Sequence, residues 1–307
     1  MKAVFLFPGQ GAQFTGMGTD FIEAFPETEK YFYNASQICG FNIQELCARG
    51  PEEKLAQTRW AQPAIFAFSW AVLSLFRKKF PSVNPVAAAG LSLGEYTAAA
   101  SGGVFSFEEA MYLVRERGQA MEEAGRKNTG TMASIIGLTP EQVTDICKDI
   151  DNVWPANFNS PAQVVISGAP DAVESAGKEA EDKGAKRVIT LKVGGAFHTP
   201  FMEPAVDKLK EAVERTTFNE SEFPIVSNAP ASGLTKPQEI KDALLRQLVA
   251  PVRWVECVEW LAKETQPDLL IEFAPGKVLK GLIRRIDRNM KVVNIATPED
   301  LENFGGE

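Results

Sequence analysis

The tightest constraint on this chain lies between Val86 and Gly103, VAAAGLSLGEYTAAASGG. An apolar run, Val86 to Ala89, meets Gly90-Leu91-Ser92-Leu93-Gly94, and a segment of small residues with helical composition follows, which predicts strand, tight turn and helix in that order. So sharp a turn leaves no room for side chains two residues before or after its apex, and glycines stand at both places. The spacing is that of a nucleophile elbow, which holds a serine hydroxyl clear of a sheet and over a helix N-terminus. Backbone N–H groups there are unpaired and aligned with the helix dipole, so an oxyanion forming beside Ser92 would be stabilised. The pattern points to chemistry on an acyl group; a chance match in a glycine-rich chain is the competing account.

At 307 residues the chain has length for two domains, or for one large α/β domain carrying an insertion. A net charge of −8 argues against a general nucleic-acid binder. Cys39, Cys47, Cys147 and Cys257 show neither C-x-x-C pairing nor metal-ligand spacing, which fits reduced thiols in a cytoplasm and no bound metal. Behind Lys2, the run Ala3 to Phe7 is too short for a signal-peptide core or a membrane span, and we read it as a buried strand. The loop Pro8-Gly9-Gln10-Gly11-Ala12-Gln13 then falls at a strand's carboxyl end, where α/β sheets place ligands. A dinucleotide fingerprint fails there, because Phe14 stands where the third glycine belongs.

Helical patterns cover Pro26 to Ile38 and Pro63 to Lys79, with Pro63 suited to a first turn. Ser106 to Glu109 has capping-box spacing and opens a helix running to about Gly125, with an apolar stripe through Ala110, Val114 and Met121. Arg117 lies on that stripe and Arg115 lies off it. A buried arginine keeps its charge and needs an anionic partner; spacing alone favours a structural ion pair or a snorkelling side chain. Gly118 permits close backbone approach beside it.

From Thr131 to Val193 the pattern is β-α-β-β-α-β, with strands at Met132–Ile136, Val153–Phe158, Gln163–Ser167 and Arg187–Val193, which predicts a ferredoxin-like α+β subdomain. The fold expected is therefore α/β. A mainly parallel, hydrolase-like domain at 1–126 and 197–307 carries the elbow, and an inserted subdomain occupies 127–196. Gly125 to Gly130 and Gly194-Gly195 would be the hinges of the insertion, and Ala196-Phe197-His198-Thr199-Pro200 follows the second. His198 is the only histidine, and a lone histidine is more often structural than catalytic. It nevertheless sits at a domain junction downstream of a candidate nucleophile that needs a base. Beyond it, helices are expected at Glu203–Arg215, Lys236–Leu248, Arg253–Lys263 and Lys277–Arg288, and strands near Ile225 and at Leu269–Phe273 and Val292–Ile295.

Seven segments in order resemble the malonyl-CoA:acyl carrier protein transacylases of bacterial fatty-acid synthesis. They are FPGQGAQ from Phe7, GLSLGEYTA from Gly90, LVRERG from Leu113, NFNSPAQVVISG from Asn157, GAFHTPFM from Gly195, QLVAPVRW from Gln247 and PGKVLKGL from Pro275. The resemblance implies that Ser92 carries malonate from coenzyme A to a carrier's phosphopantetheine thiol, with His198 as base and no cofactor. It implies further that Gln10 and the Leu93 N–H form the oxyanion hole, and that Arg117 grips the malonyl carboxylate. Gln247 would orient His198 through its backbone carbonyl, and Phe197 would exclude an α-methyl. Many members carry histidine immediately before the nucleophile, and this chain has Leu91.

An acidic carrier would dock on Lys186 and Arg187, or on Lys280 and Arg284. The expected partners are malonyl-CoA and acyl carrier protein, with no nucleic acid and no membrane, for a monomeric cytoplasmic enzyme. A polyketide-type acyltransferase, a serine esterase and an inactive acyl-binding module are the alternatives; a chain with no fused carrier or ketosynthase favours the fatty-acid reading.

Overall fold

The computed structural model describes residues 1–305. Its strands are β1 (Ala3–Phe7), β2 (Pro85–Gly90), β3 (Thr131–Ile136), β4 (Val153–Ser160), β5 (Gln163–Gly168), β6 (Arg187–Thr190), β7 (Ile225–Ser227), β8 (Ser232–Leu234), β9 (Leu269–Phe273) and β10 (Val292–Ile295). They form a mixed α/β structure with two sheets. The larger runs β10-β9-β1-β2-β7-β8 and is parallel except for the edge strand β8, which pairs antiparallel with β7. Central β1 is buried along its whole length, as an unbroken apolar run requires when helices cover both faces. Alternation divides its side chains: Ala3, Phe5 and Phe7 enter one core, Val4 and Leu6 the other. Phe5 meets the rings of Phe76 and Phe273 edge-on at 6.0 and 5.0 Å, packing whose loss on truncation to alanine typically costs about 3–5 kcal/mol.

The smaller sheet, β4-β5-β3-β6, is antiparallel throughout, and the helices Pro140–Lys148 and Pro170–Asp182 cover one of its faces. Period-two alternation again sorts the residues. Ala133, Ile135, Val164 and Ile166 pack under those helices, while Met132 and Val165 face the other way and line a cleft against the larger sheet's helices.

The expected capping box forms at Ser106–Glu109, and a second one, at Thr139–Gln142, opens the Pro140–Lys148 helix. The helix expected to open at Pro63 begins instead at Thr58 and contains the proline. Pro63 forfeits one backbone hydrogen bond there, and burial of Ala61, Ala64, Ile65 and Phe68 offsets the loss. Strand β6 stops at Thr190 rather than Val193, because the chain leaves the sheet edge to wall the cleft with Leu191, Lys192 and Val193. The helix expected over Arg253–Lys263 is α-helical only for Trp254–Trp260 and ends in a π-helical turn at Leu261–Thr265. The basic helix is shorter than expected, Val278–Ile286, and short elements at Thr19–Ala24, Ile43–Arg49, β8 and Pro298–Glu302 carry too little periodicity to be read from sequence. No helix among the described residues is long and apolar enough to cross a membrane.

Candidate active site

The turn between β2 and the Gly94–Ser101 helix is shaped by what its glycines lack. A Cβ on Gly90 would lie 1.9 Å from the Gly94 carbonyl carbon, and one on Gly94 would lie 2.2 Å from the Phe7 carbonyl oxygen. Between them Ser92 takes φ 51°, left-handed backbone that costs a non-glycine residue on the order of 1–3 kcal/mol. Two buried side chains hold it there. The Ser92 N–H donates to Asn228 Oδ1 at 2.6 Å, and Gln247 Nε2 donates to the Ser92 carbonyl at 3.0 Å.

The loop after β1 sits directly on this turn, since a Cβ on Gly9 would meet the Leu91 carbonyl oxygen at 2.6 Å. That seating brings Gln10 to the cleft beside Leu93. Gln10 turns its amide away, donating to the Ala56 carbonyl and Thr58 Oγ1, each at 3.3 Å. Among the described residues, no acceptor takes the backbone N–H of Gln10 or of Leu93. Two open donors, one at a helix start and one in the loop seated on that turn, are what a developing oxyanion needs.

His198, itself at φ 61°, brings Nε2 to 2.9 Å from Ser92 Oγ, while Nδ1 lies 2.8 Å from the Gln247 carbonyl oxygen. A carbonyl oxygen only accepts, so Nδ1 carries the proton and Nε2 presents a lone pair to the serine hydroxyl. Burial, and next the positive charge of Arg117, hold the imidazole down at about 4, against opposing hydrogen bonds to the Gln247 and Ala250 backbone. The ring is therefore neutral at physiological pH, the form a base must have.

Arg117 projects from the Phe107–Lys127 helix and is 1% exposed. Gly118 beside it is needed for close packing: its absent Cβ would lie 3.1 Å from Arg59 Cα on the Thr58–Lys79 helix. That approach brings Gln62 onto the guanidinium. Nη1 donates to Gln62 Oε1 at 2.7 Å, and Nη2 donates to Gln247 Oε1 at 2.8 Å and Ser92 Oγ at 2.9 Å. The structural ion pair that the spacing favoured is not what this side chain makes: among the described residues no carboxylate pairs with it directly, and its Nε–H has no acceptor. A buried guanidinium with spare donors beside a nucleophile can receive an anion there.

The cleft holds about 370 Å³ and is lined by Ser92, Arg117, Phe197 and His198, with Gln10 and Leu93 at one wall. Phe197 is buried and borders this space. Five residues of the site escaped sequence reading: Gln62, Glu95, Asn228 and, on the wall facing the larger sheet, the pair Asn157 and Asn159 with their period-two spacing. A polar residue inside an apolar helical run was the available signal for Gln62. Lys186 and Arg187, at β6, and Lys280 and Arg284, on the helix that contacts β4, are all exposed but flank opposite edges of the smaller sheet. Lys192 is the lysine that lines the cleft itself.

The chain is similar to known proteins along nearly its whole length. The acyl transferase domain family matches residues 4–299. The malonyl CoA-acyl carrier protein transacylase of Bacillus subtilis is 41% identical over 305 residues, covering 98% of this chain and 95% of the relative. Its counterpart in Escherichia coli K12 is 41% identical over 285 residues, 92% of each chain. Among solved structures, a malonyl-transacylase in complex with a type II PKS acyl-carrier protein superposes with TM-score 0.94 at 40% identity, covering 98% of both chains. The malonyl-CoA:acyl carrier protein transacylase of Xanthomonas oryzae gives 0.94 at 38% identity, covering 98% of this chain and 96% of the other.

Proposed function

The chain belongs to the acyl transferase family, and we propose that it transfers malonyl from malonyl-CoA to the phosphopantetheine thiol of acyl carrier protein through a malonyl-Ser92 intermediate. The observation that carries this reading is the buried guanidinium of Arg117 within 2.9 Å of the Ser92 hydroxyl. A neutral acyl group has no use for it; a free carboxylate does.

In the proposed mechanism the Ser92 hydroxyl gives its proton to His198 Nε2 as Oγ bonds to the thioester carbon. The Gln10 and Leu93 N–H groups receive the carbonyl oxygen as it gains charge. Collapse breaks the C–S bond, and the leaving thiolate takes the proton back from His198. The carrier thiol then enters the same site, loses its proton to Nε2 and attacks the ester, restoring the serine. Gln247 fixes the histidine tautomer through its carbonyl, and Phe197 fills the space beside the acyl α-carbon. Within this reading the β2 turn is a hydrolase-type nucleophile elbow. Residues 1–126 and 197–307, the last two of which lie outside the described residues, form the catalytic domain, and 127–196 a ferredoxin-like insertion supplying the far wall of the cleft, in a cytoplasmic enzyme.

Intact mass after incubation with malonyl-CoA alone tests the proposal. A stable gain of one malonyl group, lost in Ser92→Ala, supports transfer; rapid release of free malonate indicates an esterase, and no covalent change indicates a binding module. Because a polyketide-type relative superposes as well as any reported above, the pathway is read from the carrier: the expected acceptor is a fatty-acid-synthesis carrier, and preference for a polyketide carrier would reassign it.

A further inference from the structure

Beneath the elbow lies a buried carboxylate that the proposed chemistry does not use. Glu95, the first residue after Gly94, is 2% exposed. Its Oε2 accepts from Gln247 Nε2 at 2.6 Å and from the Asn228 backbone N–H at 3.0 Å. Each partner reaches the reacting groups. Asn228 holds the Ser92 N–H and donates to the Gly90 carbonyl at 2.8 Å, so it spans the elbow. Gln247 holds the Ser92 carbonyl, the Arg117 guanidinium and, through its own carbonyl, His198.

We infer that Glu95 is a positioning residue whose charge, relayed through the Gln247 amide, is the internal counter-charge of Arg117 and sets how strongly that guanidinium grips an acyl carboxylate. The inference rests on the reading of Arg117 as the carboxylate clamp. Both hydrogen bonds converge on a single oxygen, so the oxygen of a glutamine amide could accept them equally well. What only glutamate supplies is negative charge. Burial raises the carboxyl's pKa, opposed by hydrogen bonds from its neighbours and least by the charge of Arg117, and burial lowers that of Arg117, opposed by Tyr96 and then by Glu95. Glu272 provides the contrast. Equally buried, it spends its two oxygens on the N–H groups of Leu279 and Lys280 at a helix start and touches nothing in the site.

The sign of the effect follows from charge. An incoming carboxylate meets a guanidinium already partly compensated, with a second negative charge behind it, and so binds less tightly than it would to an uncompensated arginine. A moderated grip suits a group that is bound, moved and released in every cycle.

The test compares malonyl-CoA with acetyl-CoA by calorimetry in the non-reacting Ser92→Ala background, reading the ratio of their Kd values. Adding Glu95→Gln, which keeps the hydrogen bonds and removes the charge, should raise the preference for malonyl-CoA by about three- to tenfold, as for one charge acting across a layer of side chains at an effective dielectric of about 20 or more. A purely structural role would shift both ligands together. An unchanged or lowered preference in folded protein overturns the inference. Should Glu95→Gln not yield folded protein, Glu95→Asp withdraws the charge by one methylene; it should raise the preference by a smaller factor, and no rise refutes. Arg117→Ala in the same background separates the two readings. If it leaves the preference intact, the clamp itself is wrong; if it abolishes the preference while Glu95→Gln does nothing, only the counter-charge is wrong.

Discussion

Replacing Arg117 by alanine should convert a malonyl-selective enzyme into one that barely distinguishes malonyl from acetyl. Three guanidinium N–H donors hold the neutral acceptors Gln62, Gln247 and Ser92, no carboxylate pairs with the group directly, and it is 1% exposed, so solvent screens it little. A malonyl carboxylate arriving there gains a desolvated, hydrogen-bonded partner. Truncating such a pair costs about 2–4 kcal/mol, or about 30- to 1,000-fold in kcat/KM. Acetyl-CoA has no carboxylate to lose, and its transfer should be unchanged or improved. The substitution also strands the Oε1 atoms of Gln62 and Gln247, at about 1–3 kcal/mol of stability for each buried group left unpaired, so some fall in Tm is expected. The assay is kcat/KM for both thioesters at fixed carrier concentration, with Tm measured alongside. Equal losses on both substrates would show that Arg117 holds the fold and does not select the acyl group.

Ser92→Ala and His198→Ala should each remove most transfer, and the double variant should lose little more than either; additive losses in initial rate would mean the pair does not act as a unit. Phe197→Ser should admit methylmalonyl-CoA while retaining malonyl transfer, a change of about 1–3 kcal/mol in discrimination, and a parallel fall in Tm and in every activity would make Phe197 a packing residue instead. Charge reversal at Lys186 and Arg187, and separately at Lys280 and Arg284, should identify which edge receives an acidic carrier: KM for carrier rises and its salt dependence flattens at the true edge, while acylation by malonyl-CoA persists. Stability should carry two opposing pH terms. His198, held at about 4 against 6.5 unfolded, contributes stability that is full above 6.5 and is lost as pH falls toward 4. Glu272, raised by burial to about 7 from 4.5, contributes stability that is full below 4.5 and is lost as pH rises toward 7, each term reaching about 3 kcal/mol. Urea titrations from pH 4.5 to 7 should therefore show Glu272→Gln gaining stability with pH and His198→Gln losing it; the same slope in both would refute the assignment.

What could be read directly from the chain was local. Gly90 and Gly94 announce the tight turn because they flank Ser92 at matched spacing and Gly90 would collide with its own sequence neighbour Gly94, whereas the clash Gly94 avoids, with the Phe7 carbonyl, depends on the sheet; β1 announces itself as central because all five of its residues are apolar. The helix start near Pro63 was misplaced for the converse reason: a proline's preference is a local signal, and the burial of Ala61 and Ala64 that overrides it depends on what packs above them. The position of Arg117 on an apolar stripe was visible, but its partner was not. Gln62 reaches it only because Gly118 lets two helices approach.

The support beneath Ser92 was hidden in strand order. Asn228 stands 136 residues from Ser92, immediately after β7, and nothing in its neighbourhood marks it. Once β7 is placed beside β2, with Ala88 opposite Ile225 and both strands parallel, their carboxyl ends meet, and the residue following β7 must lie next to the turn following β2. The same adjacency on the other side of β2, where Phe7 pairs with Gly90, delivers the loop carrying Gln10. Three consecutive strands of a parallel sheet thus deliver the loop carrying Gln10, the turn carrying Ser92 and the side chain that holds the Ser92 backbone to one edge, where such sheets place their ligands. Without that order a sequence shows which residue can attack, and leaves open what keeps it in a backbone conformation that a serine alone would not hold.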